Sequence, residues 1–240
     1  MIRNDNRQSD DLRKIILQPG YLDYAEGSCF ATAGNTKVIA AVTIQHRVPP
    51  FLVNTGKGWL TAEYSLLPRS TKERVQRETF GRSGRTQEIM RFIGRSLRGI
   101  LNLDIVGERT FIVDCDIIQA DGGTRTLSVT AGFCALYESI NKLIETGELR
   151  YNPITEFVGA ISVGIVNGEI LLDLSYEEDS KADVDMNVVM TETGRFIEIQ
   201  STAEGMPFTR KQIDEMLNLT ANGIYKIIEM EHKIFESKGV

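Results

Sequence analysis

The sequence predicts an α/β protein of the α+β type. It reads as two similar halves, roughly residues 1–150 and 151–240, packed as one compact domain over 1–240. Three observations carry that expectation. Apolar runs bounded by turn residues recur in both halves, as strands do. Each half then closes on a long helical stretch, giving strands first and helices after. No low-complexity linker separates the two. With 240 residues, 42% of them hydrophobic, the chain can bury one sizeable core or two small ones.

Element by element, residues 28–45 predict a hairpin turning at "AGNT", and 59–67 a further short strand. Residues 71–83 are polar and arginine-rich and read as a mobile loop or a loose helix. Over 86–103, Ile89, Ile93, Leu97 and Ile100 form an apolar helical stripe, while Arg91, Arg95 and Arg98 line another face. Residues 108–118 alternate like a strand, and 124–145 form a long helix closed by "TGE". In the second half, 158–166 and 169–175 pair around Asn167-Gly168, a strong hairpin signal. Strands follow at 184–191 and 195–200, and a helix at 209–235 has Thr209 as its cap.

Composition removes several classes. No stretch approaches the ~20 apolar residues of a membrane span. The opening "MIRNDNRQSDDLRK" has no apolar core and predicts no signal peptide. Cys29, Cys115 and Cys134 are an odd, widely spaced set without metal-ligand spacing, which predicts buried thiols in a reduced, cytoplasmic protein. With only His46 and His232, acid–base or metal chemistry must rest on carboxylates. The net charge of −6 argues against a generally basic nucleic-acid binder. Yet residues 69–98 hold nine Lys/Arg against three Glu, a local +6 that leaves −12 on the rest. Such a segment can attract a polyanion to one place, or be a solvated helix face with pairs such as Glu88–Arg91.

Two further stretches carry chemistry. In "DCDIIQADGGTRT", a strand runs into a helix through Gly122 and Gly123. These glycines allow a tight bend and a close approach to a ligand. Thr124 and Arg125 then stand at a helix N-terminus, which favours an anion, and the arginine fork suits phosphate oxygens. The alternative is an ordinary glycine turn followed by a surface arginine. In "YEEDSKADVDMN", Asp179 and Asp185 would lie ~20 Å apart in a straight strand and can meet only if residues 180–182 turn. Clustered carboxylates without histidine suit a hard cation such as Mg²⁺, or else form an acidic surface loop. Asp183 is a third metal contact or an outward loop carboxylate. Asp114 and Asp116 share a strand face without an assigned role.

An anion site, a carboxylate pair and a basic tract together fit phosphoryl transfer on a polyanion. The residues also resemble the ribonuclease PH family over nearly the whole chain. The resemblance is carried by "AEGSCFATAGNTKVIAAVT", "GWLTAEYSLLPRST", "SGRTQEIMRFIGRSLR", "DCDIIQADGGTRT", "SVGIVNGEILLDLSYEEDSKADVDMNVVMT" and "IEIQSTAEGMPF", in that order. It implies an α/β fold of two similar halves, hexameric rings built as trimers of dimers, and phosphorolytic 3′–5′ trimming of RNA, notably precursor tRNA. Inorganic phosphate is the co-substrate and a nucleoside 5′-diphosphate the product. It places phosphate binding on Arg85, Gly123, Thr124 and Arg125, the catalytic, metal-holding aspartates on Asp179 and Asp185, and tRNA contacts on Arg69, Arg74 and Arg77. The chain departs from the family at "RNDNR" near its start, at Ser83 before Gly84, and at Met90, Arg91 and Phe92. None of these removes a charged group from the expected site. Two rivals remain: a catalytically silent RNA-binding ring subunit, and a hydrolytic nuclease.

Overall fold

The computed structural model describes residues 3–79 and 81–236. The first sheet contains β1 (Ile15–Pro19), β2 (Gly27–Ala33), β3 (Thr36–Gln45), β4 (Trp59–Leu66) and β5 (Thr110–Gln119), in the order β1-β2-β3-β5-β4. All its pairings are antiparallel except β4 with β5. Parallel neighbours need a crossover. Here it is made by α1 (Gly84–Arg98) and the short α2 (Leu103–Val106), so α1 interrupts the strand run of the first half. The second sheet is antiparallel, β7-β6-β8-β9, from β6 (Val158–Val166), β7 (Glu169–Leu172), β8 (Val184–Thr191) and β9 (Phe196–Ala203).

α3 (Thr124–Glu145) lies between the sheets. It packs on β2 and β3 of the first and on β6 of the second. Its residues from Thr126 to Leu136 are all buried, which explains a run that is apolar or small on every side. The close approach depends on Gly27 of β2: a Cβ there would stand 2.1 Å from the Ala135 carbonyl oxygen. The core between the first sheet, α1 and α3 also takes in Val158, Ala160, Val189 and Phe235 from the second half. A second cluster lies between the other sheet and α5 (Arg210–Glu236), with Val163, Met186, Met216 and Ile224 at 0–1% exposure. Cys29, Cys115 and Cys134 are buried and form no disulfide; burial pushes the Cys115 thiol far above its ordinary range.

Several bounds differ from the sequence reading, for local reasons. β1, short and ended by Pro19, gave no signal of its own. The helix expected over 86–103 stops at Arg98, because Leu101 leaves to bridge Ile154 and Asn102 caps α2 through its side chain. The strand expected to reach residue 175 stops at Leu172, since Asp173 turns into the left-handed region (φ 53°). Helix α3, β6 and β8 have the expected ends.

Glu231, on α5, is wholly buried, and among the described residues neither carboxyl oxygen has a hydrogen-bond partner. Burial, with the nearby Cys29 and Glu192 adding to it, holds this carboxyl well above its ordinary range. A folded-state pKa above the unfolded one means stability is fully present below the unfolded value and declines as pH rises toward the folded one. Glu231→Met should therefore be more stable than the parent at pH 8, with the difference shrinking toward pH 5. Thermal melts across that range check this, and parallel profiles for the two proteins would refute it.

Candidate active site

The site forms where β5 hands the chain to α3. Gly122 (φ 78°) and Gly123 (φ 63°) are both left-handed, and Gly123 is the N-cap of α3. Among the described residues no side chain caps this helix, so its first-turn N–H groups, which have no intrahelical partner, face the turn uncapped. The loop cannot be displaced cheaply. A Cβ on Gly122 would lie 2.5 Å from the Leu174 carbonyl oxygen and 2.7 Å from the Tyr176 nitrogen. Thr124 Oγ1 is 2.9 Å from the hydroxyl of Tyr64, a β4 residue. Arg125 Nη1 donates to Gln200 Oε1 at 3.1 Å and to Glu88 Oε1 at 3.3 Å. Glu88 thus reaches across to α3 rather than pairing with Arg91 along its own helix.

The second wall is the segment from Ser175 to β8. Ser175 and Glu178 form a capping box around the short α4 (Tyr176–Asp179). The turn the sequence required is present: the backbone N–H groups of Ser180, Lys181 and Ala182 donate to the carbonyls of Tyr176, Glu178 and Asp179 at 3.0, 3.1 and 3.2 Å. It folds Asp179 back toward Asp185, on β8. Loss of surrounding water pushes both carboxyls above their ordinary range. Asp179 adds to the rise at Asp185, while Arg125 pulls both down and Arg85 also acts on Asp179. Arg85, Arg125, Asp179 and Asp185 therefore share one electrostatic neighbourhood. Asp183 is exposed beside Gly205.

Arg69, Arg74 and Arg77 occupy the irregular segment after β4, and all three are exposed. Among the described residues none of them forms an ion pair; Glu78 instead accepts from Thr86 Oγ1 at 3.0 Å. Three other arginines of the basic tract are engaged. Arg82 pairs with Glu63, Arg95 pairs with Glu198, and Arg98 stacks 4.4 Å above Trp59. Asp114 and Asp116 line a cavity of about 460 Å³ on the outer face of the first sheet, with Glu63, Arg77 and Arg82. Sequence reasoning missed Tyr64, Glu88 and Gln200, whose contacts with Thr124 and Arg125 are long-range. "AEYSLLP" marks Tyr64 as a strand residue and says nothing of its partner.

A helix N-terminus carrying Arg125, with Arg85 and two carboxylates in the same electrostatic neighbourhood, is equipment suited to an enzyme that transfers a phosphoryl group. Comparison with known proteins narrows that class. Residues 11–140 match the model of the 3′ exoribonuclease family, domain 1, and residues 156–223 that of its domain 2. Ribonuclease PH of Moorella thermoacetica is 52% identical over 98% of this chain and 94% of its own length. Ribonuclease PH of Bacillus subtilis is 52% identical over 97% and 96%, and that of Solibacter usitatus 53% over 98% and 100%. Among solved structures, rice Rrp46 superposes with a TM-score of 0.78 at 19% identity, covering 96% of this chain and 98% of that one. An Archaeoglobus fulgidus exosome with RNA bound to the active site gives 0.78 at 22%, covering 98% and 92%; both share the fold. The chain belongs to the 3′ exoribonuclease family, as a phosphorolytic 3′–5′ exoribonuclease.

The packing at Gly122 yields a direct test. Gly122→Ala adds a methyl group against backbone atoms that have no room to give, at a left-handed residue. It should cost about 1–3 kcal/mol of stability and lower exonuclease activity below the melting transition. Urea unfolding with a parallel activity assay checks both, and an unchanged variant would contradict the packing.

Proposed function

We propose that this enzyme trims the 3′ end of precursor tRNA in the cytoplasm, as a homo-hexameric ring, with inorganic phosphate as co-substrate and a divalent cation, Mg²⁺ or a similar ion. The proposal assigns phosphate binding to Arg85, Gly123, Thr124 and Arg125, catalysis and metal binding to Asp179 and Asp185, and tRNA contacts to Arg69, Arg74 and Arg77. It takes residues 1–240 as one domain, in keeping with a core that draws on both halves. The observation that carries the reading is the position of Arg125. It stands in the first turn of α3 and also acts electrostatically on both Asp179 and Asp185. An anion held there lies beside the carboxylate pair.

On this reading an oxygen of inorganic phosphate attacks the phosphorus of the last phosphodiester. The bond to the preceding 3′-oxygen breaks, the shortened RNA keeps that oxygen as a hydroxyl, and a nucleoside 5′-diphosphate leaves. Arg85, Arg125 and the α3 N-terminus hold the attacking anion in place, and such positioning supplies much of the catalysis in phosphoryl transfer. Either hydroxyl of the Tyr64–Thr124 pair can be the donor; when Tyr64 donates, the threonine proton is left to point at the anion. Asp179 and Asp185 would hold the magnesium ion, whose chemistry is stabilisation of charge on the transferring group. Among the described residues no cluster of three or more candidate ligands occurs. A pair nevertheless fits magnesium, which takes one or two carboxylates and fills its remaining positions with water and substrate phosphates. Either carboxyl, raised above its ordinary range by loss of surrounding water, is also a candidate to deliver a proton to the leaving 3′-oxygen.

A silent ring subunit would have no use for both arginines and both aspartates, and all four are here. The deciding experiment is product analysis on a 3′-extended tRNA. Release of nucleoside 5′-diphosphates that depends on added phosphate is expected; monophosphates formed equally in phosphate-free buffer would overturn the reading.

A second expectation concerns the exposed arginines. Contacts to RNA phosphates release counterions, so affinity falls with salt by a slope of roughly 0.7–0.9 per contact. Replacing Arg69, Arg74 and Arg77 together by alanine should weaken tRNA binding and flatten that slope by about 2–3, with the affinity for inorganic phosphate nearly unchanged. Filter binding at several salt concentrations measures it. An unaltered slope would return these arginines to the solvent.

A further inference from the structure

The segment before β1 contains two of the most buried charged residues in the protein, Arg3 at 3% exposure and Arg13 at 6%. Arg13 is clamped on one side by Asp173, itself 1% exposed. Its backbone N–H and Nε donate to Asp173 Oδ2 at 2.7 and 3.1 Å, and Nη2 donates to Oδ1 at 2.6 Å. On the other side Nη1 donates to the Asp121 carbonyl at 2.6 Å, with the Gly122 carbonyl at 3.4 Å. Asp173 ends β7 and leads into α4, where Asp179 sits. Asp121 and Gly122 lead into α3, where Thr124 and Arg125 sit. One guanidinium therefore joins the two walls of the active site from behind.

The surroundings leave that guanidinium little freedom. A Cβ on Gly123 would come within 2.8 Å of Arg13 Nη2. The left-handed backbone of Asp173 donates its N–H to the Ser162 carbonyl on β6 at 2.7 Å. Arg3 adds a second brace to the same wall: Nε and Nη2 donate to the two carboxylate oxygens of Glu178 at 2.7 Å each, and Nη1 donates to the Leu172 carbonyl at 2.8 Å. Stability alone does not account for such a pair, since a buried ion pair contributes little over an apolar pair of the same shape. An apolar pair could not grip carbonyls of one loop and a carboxylate of the other at once.

We infer that Arg13, held by Asp173, is a positioning residue for phosphorolysis: it fixes the spacing between the phosphate loop at residues 121–125 and the carboxylate at Asp179. This rests on the roles proposed above for those residues. Arg13 is 6% exposed and its donors are spent on Asp173, Asp121 and Gly122, so it acts on alignment in the transition state and leaves ground-state binding alone. Arg13→Lys keeps the charge but cannot reach both walls with a planar fork. Asp173→Asn keeps the side-chain shape and a residue that tolerates the left-handed region, while losing the charge.

The test measures kcat, the KM for phosphate and RNA affinity for the parent and both variants, below their melting transitions and with assembly size recorded. A displacement on the ångström scale lowers turnover, so Arg13→Lys should lose about tenfold to a hundredfold in kcat, with the KM for phosphate and the RNA affinity within about threefold of the parent. Asp173→Asn should show a smaller loss of the same kind, and it decides the matter if Arg13→Lys does not fold. Parental kcat in the folded variants, whatever their loss of melting temperature, would make the pair purely structural and overturn the inference. So would a raised KM for phosphate at unchanged kcat, which would make Arg13 a support for binding. A parent that releases no diphosphate would count against the proposed reaction, and that is seen before any variant is compared.

Discussion

The burial of α3 between two sheets is the constraint from which the rest follows. A helix with one exposed face can shift along its groove, but a helix walled on two sides cannot. The position of Thr124 and Arg125 in its first turn is set by packing further along the helix, at Gly132 and Phe133, and against Gly27 of β2. The second sheet touches the same helix through β6, and β8, which pairs with β6, carries Asp185. The two halves of the chemistry are thus brought together by one shared element. The buried arginine network then closes the remaining gap, between the phosphate loop and the α4 turn.

Charge is distributed to match. A chain of net −6 gathers nine of its 27 Lys/Arg into residues 69–98. Arg82, Arg95 and Arg98 there are occupied by acidic or aromatic neighbours, while Arg69, Arg74 and Arg77 stand exposed. Arg125, too, is already engaged, by Glu88 and Gln200. A side chain held in this way is ordered in advance, which lowers the ordering cost of capturing a ligand.

Much of this was legible in the residues, for reasons that can be given one by one. The ends of α3, β6 and β8 follow from glycine turns, hairpin chemistry and unbroken apolar runs, all of which are local signals. The glycine turn before α3 was legible because "DGGTRT" shows the turn and the helix start side by side. The meeting of Asp179 with Asp185 was legible as a condition, a turn at residues 180–182, and the backbone hydrogen bonds there meet it. What stayed hidden depends on distance along the chain. Asp173 lies 160 residues from Arg13, and Tyr64 lies 60 from Thr124. A left-handed aspartate ending β7 has no periodic signature, and a charged residue near the start of a chain reads as surface. Glu88 was misplaced for the same reason: helical spacing offered Arg91 as its partner, while folding brought α3 nearer.

The three sealed thiols have a consequence of their own. Thiolate is the reactive form of cysteine, and burial suppresses it. Cys29, Cys115 and Cys134 lie on β2, β5 and α3, the elements that enclose the first core, each at 0–1% exposure. An alkylating reagent can reach them only when those layers part. Labelling would then be governed by the opening equilibrium of the fold, with the reagent acting as a clock. Modification times would report how often the layer between the two sheets comes apart, in a protein whose reaction site is built on that layer.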